Sequence, residues 1–299
     1  MSETVHGRSA SADTPPPLSS PTVFKRPFDQ AATEAEAALG LEDPVRAVHE
    51  LRKAFKRLRA LLRLVDGEHR AEAKALRAAL GEVARRLAGA RDTQARRDAL
   101  VDLTAKSYLS ASAHRAAARA LAAGGAHEAV GLAPHRDDLT SLVAACRDAG
   151  PRFAASMDRT ALLRALRDEY ARGRRLVRHV DPTEPESLHE LRKAVVAQRY
   201  QMELVSEAWP ALGKVWVGEL QRLREKLGKH QDLAVLAAEL ASLPAGRQGW
   251  RQPLADAIAA RQHRLVLSAL RLHRRLFAEK PRAFRQRIAA YLKPVSEKE

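Results

Sequence analysis

Six residues, His49-Glu50-Leu51-Arg52-Lys53-Ala54, recur letter for letter 140 positions later as His189-Glu190-Leu191-Arg192-Lys193-Ala194. A helix advances about 100° per residue, so a histidine three residues ahead of an arginine lies beside it on one flank. Such a set donates hydrogen bonds and positive charge, and a forked guanidinium matches the oxygens of a carboxylate or phosphate. The chemistry it suggests is the gripping of an anion.

The surrounding residues extend the idea. On a helix running from Ala47, the apolar Val48, Leu51, Phe55, Leu58, Leu62 and Val65 fall within one arc of roughly 100°. His49, Arg52, Lys56, Arg59 and Arg63 fall within a second arc of similar width, with Lys53 just beyond its edge. Arg46 to Val65 contains seven Lys or Arg against the single acid Glu50. Like charges at i,i+4 repel by a few tenths of a kcal/mol each, a cost that a bound anion would remove. The second copy keeps His189, Arg192, Lys193 and Arg199, but Val196 stands where the first has Lys56, and Glu203 where it has Arg63. Its ridge is thinner. Arg167, Arg174 and Arg178 flank the apolar stripe of the preceding helix and are candidates to supplement it; Arg264, Arg271 and Arg275 stack at i, i+7, i+11 and read as solvated surface.

These ridges need long amphipathic helices to carry them. Ala, Leu and Arg dominate and aromatics are only 4%, a balance that suits packed helices and not β-sandwiches. Breaks are expected at Asp43-Pro44, Asp66-Gly67, Gly124-Gly125, Gly131 to Pro134, Gly150-Pro151, Asp181 to Pro185, Pro210, Pro244 to Gly249 and Pro281. They divide the chain into about ten helices. The Pro- and Ser-rich residues 1–26 are expected to be a disordered tail. The repeat continues to a second pair of matching segments, LAGARDTQ and LGKHQDLA, where Gly89 or Gly228 is expected to end one helix and Asp92 or Asp232 to cap the next. A duplicated unit explains both matches, so two helical bundles are expected, over 27–150 and 151–296, each burying its own core.

The formal charge of +16 calls for a polyanionic partner: nucleic acid, an anionic membrane surface or polymeric phosphate. The single Cys146 excludes an internal disulfide and reads as a small core residue. With no apolar signal-like segment and no run of about 18 apolar residues, a cytoplasmic protein is expected.

At its two HELRK repeats the sequence resembles the CHAD family (conserved histidine α-helical domain), over residues from about Phe28 to near Lys293. The resemblance implies an all-α fold of two four-helix bundles related by a pseudo-twofold axis, with a basic groove between them. It implies inorganic polyphosphate as ligand; binding without catalysis or cofactor is expected, and a scaffold that coats a polyphosphate or polyester granule is a further reading. Carried over, His49, Arg52, Lys53, Lys56, Arg59 and Arg63 would face His189, Arg192, Lys193 and Arg199. The family's Arg-Asp junction is kept at Arg91-Asp92 but reads Gln231-Asp232 in the second copy.

Other roles compete with this one. The histidines admit phosphate contact, a structural hydrogen bond, or metal ligation and acid catalysis; no HxxxH-type pair favours the last. Phosphoryl transfer generally needs carboxylate-held Mg²⁺, and no P-loop or DxD-type cluster occurs, so an enzyme is not expected. A nucleic-acid module is the nearer rival, yet no aromatic is interleaved with the ridge for base stacking. Membrane binding is disfavoured because the apolar faces are committed to cores.

Overall fold

The computed structural model describes residues 20–87, 89–123, 132–181, 184–243 and 249–293. The fold is all-α. Its helices are α1 (Ser20–Leu39), α2 (Pro44–Leu61), α3 (Arg70–Arg86), α4 (Gly89–Ala105), α5 (Ala111–Ala123), α6 (Arg136–Ala155), α7 (Arg159–Leu176), α8 (Pro185–Ser206), α9 (Pro210–Ser242), α10 (Arg251–Leu276) and α11 (Pro281–Tyr291), with short 3-10 turns ahead of α3 and α6 and after α7.

Several ends follow from local chemistry. The Asp43 carboxylate accepts from the Val45 and Arg46 amides at 2.9 and 3.3 Å, and Pro44 fills the first position of α2, where its missing N–H costs nothing. Asp158 caps α7 through the Ala161 amide at 2.7 Å. Pro185, Pro210 and Pro281 each open a helix. The expected breaks at Gly124-Gly125, Gly131, Pro182 and 244–248, like residues 1–19 of the expected tail, lie outside the described residues.

Four expectations are corrected. Residues 20–26, assigned to the tail, belong to α1: Phe24 and Phe28 are fully buried and stack at 5.5 Å, and this burial outweighs the backbone hydrogen bond that Pro27 cannot make. Gly150-Pro151 does not break the chain but lies within α6, where a Cβ on Gly150 would come within 3.2 Å of the Phe28 ring. Gly228 likewise sits inside the 33-residue α9, so Asp232 caps nothing; in the first copy the backbone of Asp92 is inside α4. Finally, the halves do not bury separate cores.

The larger hydrophobic cluster joins α1, α2, α3 and α6 to α7, α8, the first half of α9, the later part of α10 (Val266, Ala269) and α11. The smaller joins α4 and α5 to the second half of α9 and to α10, through Leu100, Leu103, Leu236, Leu254 and Ile258. The Ala-rich α5 has too little apolar surface to close a core with α4 alone, and α9 and α10 supply it. The motif helices α2 and α8 pack side by side where Ala60 meets Ala197 and Tyr200.

The end of α10 is tied to α7 through a buried histidine. His273 is 1% exposed, stacks on Phe277 at 4.3 Å, and its Nε2 lies 3.1 Å from the Gly173 carbonyl. Burial lowers its pKa to about 4, so the ring is neutral in the folded protein. Between the unfolded value near 6.5 and about 4 the unfolded chain binds a proton that the native state does not, so this contribution is full above that window and is lost as pH falls. Denaturant titrations at a series of pH values should show stability declining across the window, and His273→Gln should flatten part of that slope.

Candidate functional site

The two basic helices meet at a cleft of about 540 Å³, whose walls come from α2, α3, α7, α8 and α9, together with Ala95 of α4. Ten Arg or Lys line it against two acids, Glu190 and Asp232. From α2 and the turn after it come Arg52, Lys56, Arg59 and Arg63, and from α8 come His189, Arg192 and Lys193. The remaining cations, Arg77 and Arg85 of α3, Arg172 of α7 and Arg224 of α9, stand outside the repeated motifs.

The other motif residues do not line the cleft. His49 is exposed. Lys53 bonds Glu50 at 3.2 Å. Arg199 pairs with Glu203 at 2.6 Å and lies 4.1 Å from the centre of the Tyr200 ring. Arg167 pairs with Asp168 at 2.7 Å, Arg174 donates to the Phe277 carbonyl at 3.1 Å, and Arg178 is exposed in the turn after α7.

Two glycines shape the walls. A Cβ on Gly81 of α3 would sit 3.3 Å from Arg59 Nη2, and one on Gly228 of α9 would sit 3.5 Å from the Arg192 guanidinium. Each seats an arginine flat against a neighbouring helix. The cost of glycine inside a helix, roughly 0.5–1 kcal/mol relative to alanine, is the cost of that seat. Arg77, Gly81 and Arg85 form an i, i+4, i+8 row on α3, and Arg224 stands four residues before Gly228; an arginine four residues from a mid-helix glycine is the sequence signal for these missed cations.

The cleft is electrostatically frustrated. Burial first, then Arg63 and Arg85, lower the pKa of Arg59, and its Nε is buried with no hydrogen-bond partner. Burial and Arg63 do the same to Arg77, with Glu169 opposing. Glu169 is shared: it accepts from Arg63 Nε at 2.7 Å and from Arg172 at 3.3 Å. Burial also lowers the pKa of Arg172, against the pull of Glu169. His189 is lowered by burial and then by Lys193 and Arg192, with Glu186 and Glu190 opposing, and its Nδ1 is buried without a partner. Among the described residues no three His, Cys, Asp or Glu side chains are grouped to hold a metal ion.

Arg52 has a second task. Its Nη1 donates to the Ala84 and Leu87 carbonyls at 3.1 and 2.7 Å, closing the C-terminal end of α3 with a cation. Urea denaturation should therefore separate two cleft arginines. Arg52→Ala should cost about 1–2 kcal/mol by stripping the cap, whereas Arg59→Gln should raise stability by about 0.5 kcal/mol at low salt by relieving like-charge repulsion.

Comparison with known proteins agrees with this architecture. The CHAD domain family model matches residues 22–241. No curated protein sequence matches the chain. Among solved structures, PptA from Streptomyces chartreusis is similar with a TM-score of 0.58 and 20% identity, over 88% of this chain and 100% of that one, a likeness of fold. The crystal structure of the CHAD domain from the plant Ricinus communis aligns at 18% identity with a TM-score of 0.36, over 97% of this chain and 98% of that one. With the family model spanning well over half of its length, the chain belongs to the CHAD domain family.

Proposed function

We propose that the cleft binds inorganic polyphosphate without chemical conversion. The observation that carries this reading is the imbalance of its lining, ten cations to two acids in one cavity fed by five helices. Polyphosphate brings a dense row of anionic oxygens and no bases, so forked and ammonium donors at varied angles suffice to hold it. The only aromatic among the lining residues, Phe55, is fully buried, which offers a nucleobase no ring to stack on and favours polymeric phosphate over single-stranded nucleic acid. Glu190 is committed to Lys193, consistent with a binding role over a catalytic one. A cytoplasmic location at polyphosphate granules is part of the same proposal.

Titration calorimetry with polyphosphate of defined length, beside single-stranded and duplex DNA of matched charge, tests it. Polyphosphate should bind more tightly than either DNA at physiological salt. Counterion release should weaken it by roughly 10³-fold or more between about 50 and 200 mM salt. Lys56→Gln with Arg59→Gln should lower the slope of log K against log salt by about 2. Equal affinity for all three polymers would defeat the proposal.

Proton linkage gives a second test. His189 is held below the ordinary histidine value in the free protein, and phosphates beside it would raise that value, so binding should take up a proton. Affinity should then increase from about pH 8 to about pH 6. Calorimetry in buffers of different ionisation heat should register the uptake, and His189→Asn should abolish most of it.

A further inference from the structure

A second basic surface lies on α10, no residue of which lines the cleft. Its inner residues Leu265, Val266, Ala269 and His273 are buried. On its outer face Arg264, Arg271 and Arg275 fall within an arc of roughly 40°, along about 17 Å of helix. All three are exposed, with Arg274 and the 48%-exposed Leu267 at one edge.

The other arginines of this helix have structural partners. Arg251 donates to the Leu240 carbonyl at 2.8 Å, and Arg261 pairs with Asp102 at 2.8 Å. Some exposed cations elsewhere find acids, as Arg70 does with Asp66, Arg152 with Glu72 and Arg222 with Glu219, while others such as Arg97, Arg164 and Arg282 stand singly among the described residues. Among the described residues Arg264, Arg271, Arg274 and Arg275 make no such pair, and the one acid of α10, Asp256, stands more than two turns before Arg264. This face collects charge that neither fold nor cleft uses.

We propose that the outer face of α10 is a second polyphosphate site, weaker than the cleft, which makes one protein molecule a bridge between two polymer strands. The inference rests on the cleft binding polyphosphate. The face is open, convex and single-helical, so it holds its anion by charge alone, whereas the cleft surrounds it. Two sites on one molecule, each able to take a different strand, cross-link a long polymer into a network.

Calorimetry and light scattering on the full chain test it, using Arg264→Gln, Arg271→Gln and Arg275→Gln combined. With short polyphosphate the wild type should show two sites of unequal affinity, and the triple variant should keep the tight one and lose the weak one. With long polyphosphate the wild type should scatter strongly at intermediate ratios and clear again in polymer excess; the variant should scatter at least tenfold less. Wild-type scattering in the variant, or a single class of sites in the wild type, overturns the inference while leaving the cleft intact. Loss of the tight site on Lys56→Gln with Arg59→Gln, measured in parallel, keeps the two sites apart. If the substitutions abolish binding to phosphatidylserine vesicles but leave polymer scattering unchanged, the face serves a membrane and the inference fails.

Discussion

Everything in the cleft depends on two mutually repelling helices being held side by side. The contact that does this is small and mostly apolar: Ala60 of α2 meets Ala197 and Tyr200 of α8, and the small alanines let the backbones approach. Gln201, fully buried on α8, donates to the Ala60 carbonyl at 3.0 Å and fixes the register. Around this seam the larger cluster buries Leu51, Phe55, Leu58, Leu188, Leu191 and Val195, whose removal from water far exceeds the few tenths of a kcal/mol lost at each like-charge pair. The core thus forces together charges that would otherwise separate.

Within that frame the cations are arranged at two levels of commitment. Arg63 and Arg172 share Glu169, and Lys193 has Glu190, so these side chains are already oriented before any ligand arrives. Arg59 is different, lying against Gly81 with an unpartnered Nε and a pKa lowered by burial and then by Arg63 and Arg85. Under the proposed function, Arg59 would offer a polyanion a donor that is positioned but not neutralised, and such preorganisation limits the entropy lost on binding.

The motif helices are legible in the sequence because their apolar and cationic arcs separate cleanly at helical period, and helix starts are legible wherever Pro follows Asp or opens an amphipathic run. The glycines are not. Gly150 and Gly228 read as stops, because a lone glycine says only that a side chain is unwelcome and not whether a turn or a close neighbour is the cause. The same ambiguity hides Arg77, Arg85 and Arg224, whose placement depends on how α3 and α9 pack against α2 and α8. The exchange of partners between α4, α5, α9 and α10 is equally invisible to periodicity, which marks the buried face of a helix but not what covers it. Phe24 is hidden because the Pro- and Ser-rich residues around it carry no helical periodicity.

Arg52 holds the last carbonyls of α3 with the same guanidinium that faces the cleft. An anion that drew Arg52 away from Ala84 and Leu87 would leave those carbonyls open. Occupancy of the cleft would thereby be linked to the integrity of the final turn of α3, and linkage runs in both directions. Under the proposed function, a change that firms up that turn would withhold Arg52 from the polymer, and a polymer that captured Arg52 would loosen the end of α3, which would make the end of one helix a lever on affinity.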